Sequence, residues 1–244
     1  MKHKRKHILL LTMALIFLTG LGLALYPAIN GAFLHQKQRQ QVISFSAAHV
    51  FSPEAASPAL VGDQGPLDIL WADAAQYNQQ IFEQHQALLS SAAAYEQSVL
   101  HLADYGLEEE VFAVISIPAL ELEMPVYLGA STENLSLGAA HMGQTSLPIG
   151  GENTNCVIAG HRGWKGAAFF KMLPSLKAGD PVTVTNLWSE LHYQVVETQT
   201  ISSDQSDAIM IQPGRDLLTL LTCDYGADGV KKRYLVICER VAEV

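Results

Sequence analysis

The stretch LLTLLTCDYGADGVKKRYLVICER, from Leu217 to Arg240, reads as two apolar strands around a polar loop. The first strand ends on Cys223, and the second begins at Arg233, where an apolar run resumes. Working outward, the same texture extends back to about Val111. The runs VFAVISIP, MPVYLG, TNCVIAGH, PVTVTNLW and LHYQVVETQTIS are rich in β-branched and aromatic residues and are punctuated by Gly, Pro, Asn and Asp. Seven or eight such strands over about 130 residues predict a mainly β unit, a closed antiparallel barrel or a sandwich. Two short helices interrupt it. One is STENLSLGA, with Ser131 or Thr132 as N-cap, and the other is AAFFKMLPSL, cut by Pro174. LKAGDPVTV is a tight turn into a strand, with Gly179-Asp180 at the bend.

The whole chain sets bounds on this unit. With 244 residues, of which 49% are hydrophobic, it holds one medium domain with accessory segments, and wholesale disorder is excluded. A net charge of −9 and a pI near 5.4 argue against a nucleic-acid partner. Cys156, Cys223 and Cys238 show no CxxC and no zinc spacing, and no GxxxxGK[ST] or GxGxxG marks a nucleotide site. No cluster of acidic ligands suggests calcium. The expectation is an activity without metal or cofactor.

The N-terminus opens with the basic cluster MKHKRKH, followed by ILLLTMALIFLTGLGLALY, an uncharged run from Ile8 to Tyr26. A hydrocarbon core of about 30 Å needs roughly 20 apolar helical residues. The run meets that length, exceeds a signal-peptide core, and is followed by YPAINGA, a poor cleavage site. It reads as an uncleaved anchor. Lys2, Lys4, Arg5 and Lys6 keep the N-terminus cytoplasmic, so everything after about residue 30 lies outside the cell. After a short helix and a Pro-broken linker reaching to about residue 67, apolar residues recur at three and four from Ile69 to Leu102: one or two amphipathic helices. The expected organisation is a basic tail (1–7), an anchor (8–29), an extracellular linker and helical segment (30–104), and a β-barrel (105–244).

An odd cysteine count outside the cell leaves at least one thiol unpaired, either a reactive group or a buried small residue. Three polar residues sit at strand ends: His161 in IAGHRG, Cys223 in LLTC and Arg233 in KKRYLV. Together they have the chemistry for acyl transfer. A thiolate attacks a carbonyl, an imidazole shuttles the proton, and a guanidinium fork holds a carbonyl or oxyanion. The backbone N–H of Asp224 is a second oxyanion donor. Thr222 and His141 are candidates for the substrate groove, and His141 competes with His161. Taken singly, each residue also has a structural reading: buried thiol, satisfied histidine, solvated charge run.

TLLTC at Thr219–Cys223, followed ten residues later by Arg233 in KRYLV, resembles the signature of the sortases, cysteine transpeptidases of Gram-positive cell surfaces. GQTSLPIGGENTNCVIAGHRG, residues 143–163, and IPALELEMPVYLGASTENLSLGAAHMG upstream resemble class C, the pilus-assembling sortases. The resemblance covers roughly residues 74 to 240 and implies a closed eight-stranded sortase β-barrel with short helices. It implies Cys223 as nucleophile, His161 as general acid and base, and Arg233 as the substrate-orienting and oxyanion residue. The implied substrate is an LPxTG-like sorting signal on a pilin or surface protein, cleaved between Thr and Gly. The implied acceptor is a pilin lysine amine. The alternatives are transfer to a peptidoglycan precursor, or a binding barrel that has lost activity. The implied location is the membrane of a Gram-positive cell, with the catalytic domain outside.

Three features depart from the class C pattern. The groove-plugging lid should fall near LLSSAAAYEQ, residues 88–97, but no Asp-Pro-aromatic motif is there, and Trp71 after Asp68 is the available substitute. No C-terminal membrane span precedes Val244. Asp224 follows the cysteine where Thr-Pro-Tyr is common, and a carboxylate there disfavours a thiolate. Cys156 and Cys238 are assigned to packing, with a disulfide between them as the other option.

Overall fold

The structure, a computed structural model, describes residues 2–49, 65–89, 95–108, 110–225 and 231–241. Its centre is an eight-stranded sheet closed on itself. In chain order the strands are β1 (Ala113–Ile117), β2 (Leu122–Leu128), β3 (Ala139–His141), β4 (Thr154–Ala159), β5 (Pro181–Asn186), β6 (Glu190–Ser202), β7 (Asp216–Tyr225) and β8 (Lys231–Arg240). Around the barrel they run β1-β2-β3-β4-β7-β8-β6-β5, with β5 closing onto β1.

The closed eight-stranded barrel matches the expectation, but it is mixed rather than antiparallel. β2 pairs β3 in parallel, and β4 pairs β7 in parallel. Parallel neighbours require a crossover. Between β2 and β3 it is supplied by the helix α3 (Thr132–Leu137 in chain order, after the two helices below). Ser131 caps α3 by accepting the Asn134 N–H at 3.1 Å. β3 had no signal of its own, because it is three residues long with the plain sequence AAH. Strand composition follows position. β4, covered on both faces, is buried throughout, whereas β6 alternates buried and exposed residues until a bulge between Val195 and Glu197.

The segment AAFFKMLPSL forms a 3-10 turn, Phe169–Ser175, that contains Pro174. Gly179-Asp180 makes the expected bend. The Asp180 carboxylate accepts the Lys177 N–H at 2.8 Å, and β5 begins one residue later.

The helical segment differs from the expectation in two ways. First, α1 is one helix, Lys2–Ala48, rather than an anchor followed by a separate short helix. At 1.5 Å per residue it is about 70 Å long. Its first half exposes the large apolar residues from Ile8 to Ile29, while Gly31, Gln38, Val42 and Phe45 form a buried face along the barrel. Second, α2 (Pro66–Glu83) falls within the one or two amphipathic helices expected, but its buried face is Leu70, Ala74, Asn78 and Ile81. Ile69 and Leu88, placed on the apolar stripe by the sequence, are exposed. Ile81 is common to both faces, and Asn78 rather than Tyr77 points inward. Its amide donates to the Leu147 carbonyl at 3.3 Å and accepts the Leu147 N–H at 2.7 Å, fastening α2 to the loop between β3 and β4. The expected linker falls largely in residues 50–64, outside the described residues.

Cys156 and Cys238 are buried free thiols. Both are in register with Leu218 of β7, one on each flanking strand. Two strand spacings put their backbones about 9–10 Å apart, beyond the reach of a disulfide. Packing is their role.

Candidate active site

β4 and β7 run parallel with a constant register, from Thr154↔Asp216 to Ala159↔Leu221. Contacts beyond the end of β4 keep that register. The Gly160 N–H donates to the Leu221 carbonyl at 3.0 Å, the Thr222 hydroxyl donates to the Gly160 carbonyl at 2.8 Å, and Arg162 pairs with Asp224. The last two pairs are both 62 residues apart, and the same offset sets His161 level with Cys223. On the other side of β7, Cys223 is the direct antiparallel partner of Arg233. Cys223 on β7 and Arg233 on β8 are therefore paired, and His161, two residues past the end of β4, is level with them at one end of the barrel.

His161 is half-buried. Its ring stacks on Trp164, with centroids 4.6 Å apart and planes 18° apart, and meets the edge of Phe169 at 6.0 Å. Burial lowers its pKa below 6.5, and the Lys231 ammonium lowers it further. The neutral imidazole is thus favoured at pH 7. Its Nε2 is buried without a hydrogen-bond partner among the described residues, so one nitrogen of this ring is left for another group. Gly160 is fixed by packing: a Cβ there would come within 2.6 Å of the Phe170 ring. That close approach seats the 3-10 turn directly behind His161.

The carboxylate of Asp224, a concern in the sequence, is paired with Arg162 rather than left beside the thiol. Arg233 lies over the ring of Tyr95, with its guanidinium carbon 5.8 Å from the centroid. Tyr95 is held in turn: its carbonyl accepts the Ala130 N–H at 3.0 Å and the Gly143 N–H at 3.1 Å, and its hydroxyl donates to the Leu89 carbonyl. Trp164, Tyr95 and Arg162 were missed by sequence reasoning. The only signal for Trp164 and Arg162 was adjacency to His161.

The two groove candidates are placed differently from the expectation. Thr222 and His141 are both fully buried, so neither presents a surface to a substrate. Thr222 is the latch to Gly160 described above. His141 is an interior residue whose Nε2 contacts the Thr145 carbonyl at 3.1 Å, and burial lowers its pKa to about 4. Trp71 is no plug either. It packs edge-on to Trp188 at 5.1 Å, and Trp188 packs on Phe112, in a cluster under α2. Within the expected lid span, residues 90–94 lie outside the described residues. Of its remainder, Leu89 is buried against Ala159, Leu221 and Leu235, and Tyr95 contacts Arg233. Among the described residues no cluster of His, Cys, Asp and Glu has the form of a metal site.

A family model for the sortase domain matches residues 115–241, which span β1 to β8. The chain belongs to the sortase family. Sortase A of Bacillus anthracis is 31% identical over 157 residues, covering 64% of this chain and 72% of that protein. Among solved structures, sortase C-1 from Streptococcus pneumoniae superposes with a TM-score of 0.67 at 32% identity, over 84% of this chain and 100% of that one. Sortase C1 of GBS pilus island 1 gives 0.66 at 28% identity, over 85% and 93%. The similarity to class C extends beyond the barrel, since coverage of 84% of this sortase takes in helical segments upstream of β1.

Proposed function

We propose that this sortase is a membrane-anchored cysteine transpeptidase that cleaves an LPxTG-like sorting signal between Thr and Gly and passes the acyl group to a pilin lysine. The observation that carries the reading is the register that sets Cys223 between His161 and Arg233. In the first half-reaction Sγ of Cys223 attacks the Thr carbonyl, and its proton passes to the neutral His161 imidazole. The oxyanion faces the Arg233 fork and the Asp224 N–H, donors of a kind each worth about 3–4 kcal/mol when well placed. Collapse breaks the Thr–Gly C–N bond, and His161 hands its proton to the departing amine. In the second half an amine attacks the thioester, His161 takes up its proton, and Cys223 leaves. Acyl energy held in the thioester drives the transfer.

The pilin acceptor is supported by the likeness to a sortase of a pilus island. A second reading, transfer to a peptidoglycan precursor amine, shares the donor half and differs only in acceptor. It is kept because the matched Bacillus anthracis relative is named a sortase A. The catalytic half is tested by trapping with a labelled LPxTG peptide. The parent chain should form a mass adduct on Cys223 and Cys223→Ala should not; a parent chain without adduct refutes the reading. Offering pilin lysines and peptidoglycan precursor amines together, and reading which amine becomes acylated, decides the acceptor.

A further inference from the structure

With α1 taken as the membrane anchor, its contacts with the barrel set the height of the barrel above the bilayer. Its uncharged apolar run ends at Tyr26. The Asn30 amide, four residues further on, donates to the Lys165 carbonyl at 3.1 Å. Just below it, Gly166 lies against Pro27 so closely that a Cβ would come within 1.9 Å of the Pro27 carbonyl oxygen. Gly166 has φ +91, so both sterics and backbone conformation require glycine at this crossing. At 1.5 Å per residue Asn30 stands about 6 Å above Tyr26, the thickness of the headgroup layer on one side of a bilayer. The exposed Ile29 and Phe33 carry the apolar face up to Asn30 and about 4–5 Å beyond it. Gln38, whose amide donates to the Leu137 carbonyl at 2.8 Å, is about 18 Å up. The loop after His161 is thus the part of the catalytic domain that meets α1 lowest.

Charge follows the same geometry. Beyond Arg39 the chain has nine basic residues against all 24 acidic ones, and none of the nine occurs before Arg162. Six of the nine, Arg162, Lys165, Lys171, Lys231, Lys232 and Arg233, border the His161–Cys223–Arg233 row or the loop and turn behind it, and of these Arg162 is paired with Asp224. The side chain of Lys171 adjoins Gly163, and next to it Met172 is exposed at 52%. An acidic domain whose cations gather at the end nearest its apolar helix is arranged for a surface that is both apolar below and anionic above.

We propose that the rim formed by the loop Arg162–Ala168 and the 3-10 turn Phe169–Ser175 rests on the headgroup layer of an anionic bilayer, holding the candidate active site at the membrane surface. The proposal rests on α1 as the membrane anchor and on no catalytic role. The test uses the full chain reconstituted in vesicles of phosphatidylcholine with or without phosphatidylglycerol. An environment-sensitive fluorophore is placed at Met172→Cys, or at Glu152→Cys near the far end of β4, in a Cys223→Ala background that removes the one thiol not buried. Nitroxide-headgroup lipid should quench the probe at 172 at least threefold more than at 152 in phosphatidylglycerol vesicles. Lys165→Glu with Lys171→Glu should at least halve that quenching. Equal quenching at the two positions in chains that float with the vesicles overturns the proposal. So does quenching at 172 that is indifferent to both phosphatidylglycerol and the charge reversals. Chains that do not float refute the anchor, and the proposal with it. Thioester trapping is read separately, so failure of the catalytic reading is distinguishable from either result.

Discussion

The hydroxyl of Thr222, one residue before Cys223, donates to the carbonyl of Gly160, one residue before His161, at 2.8 Å. Both residues are buried, so this bond joins the two chain segments directly behind the candidate nucleophile and base. Thr222→Val keeps the shape and leaves the Gly160 carbonyl without its hydroxyl partner. A buried acceptor left unmade costs about 1–3 kcal/mol. Urea unfolding of the variant should show a loss in that range. Peptide cleavage should fall about tenfold or more in kcat, because displacement of a reacting group by even 1 Å is costly. A stability loss with unchanged kcat would limit Thr222 to a structural role.

His141 makes the barrel sensitive to acid. Its pKa is about 4 in the fold, lowered chiefly by burial, against 6.5 when exposed. The unfolded chain therefore binds more protons than the folded chain between those values, and stability falls as pH drops through them. A difference of this size corresponds to on the order of 3 kcal/mol. The loss begins below pH 6.5 and is complete near pH 4. Urea midpoints at pH 7.5 and pH 4.5 should differ accordingly in the parent. His141→Gln should flatten the dependence even if it lowers stability at both pH values. An equally steep profile in the variant would assign the acid sensitivity to other groups.

The order of causes at His161 gives a further expectation. Burial lowers its pKa most, and Lys231 contributes less. Trp164 stacks on the ring and supplies part of that burial. Trp164→Ala should therefore raise the His161 pKa toward 6.5 by more than Lys231→Gln does. The Lys231 effect should shrink in high salt, whereas the Trp164 effect should persist. Titration of the His161 ring protons by NMR reads both. The limb of the cleavage profile set by His161 should move with them in the same order, and a larger response to Lys231→Gln would reverse the assignment.

Much of this was legible in the sequence because strands announce themselves by composition. Seven of the eight strands lie in runs such as TNCVIAGH and LHYQVVETQTIS, and Cys223 and Arg233 close a hairpin visible as two apolar runs around a polar loop. What could not be read was which strands are neighbours. The pairing of β4 with β7 spans 62 residues, and that offset, not any local motif, brings His161 level with Cys223. Trp164 and Tyr95 were invisible for the same reason, since each matters through a contact with a ring or guanidinium. The misplacements also have physical causes. Thr222 lies next to the candidate nucleophile in sequence, but its side chain is buried and its hydroxyl donates to the Gly160 carbonyl. His141 looked chemical and is interior. Trp71 serves the packing of α2 rather than any lid.

Arg233 and Tyr95 separate two magnitudes. The guanidinium carbon lies 5.8 Å from the Tyr95 centroid, a cation–π contact worth roughly 0.5–1 kcal/mol at a partly exposed site. Tyr95→Ala removes it but keeps the two backbone bonds to Ala130 and Gly143, so kcat/KM for a sorting peptide should change by no more than about fivefold. Arg233→Lys keeps a cation over the ring but loses the planar fork that would hold the substrate carbonyl. Loss of one oxyanion donor costs about 100- to 1000-fold in kcat, and the lysine variant should fall in that range while unfolding at an unchanged urea midpoint. A lysine variant within fivefold of the parent would make Arg233 a rim cation and leave the Asp224 N–H as the oxyanion donor. A large loss on Tyr95→Ala alone would mean that the tyrosine, not the arginine, orients the substrate.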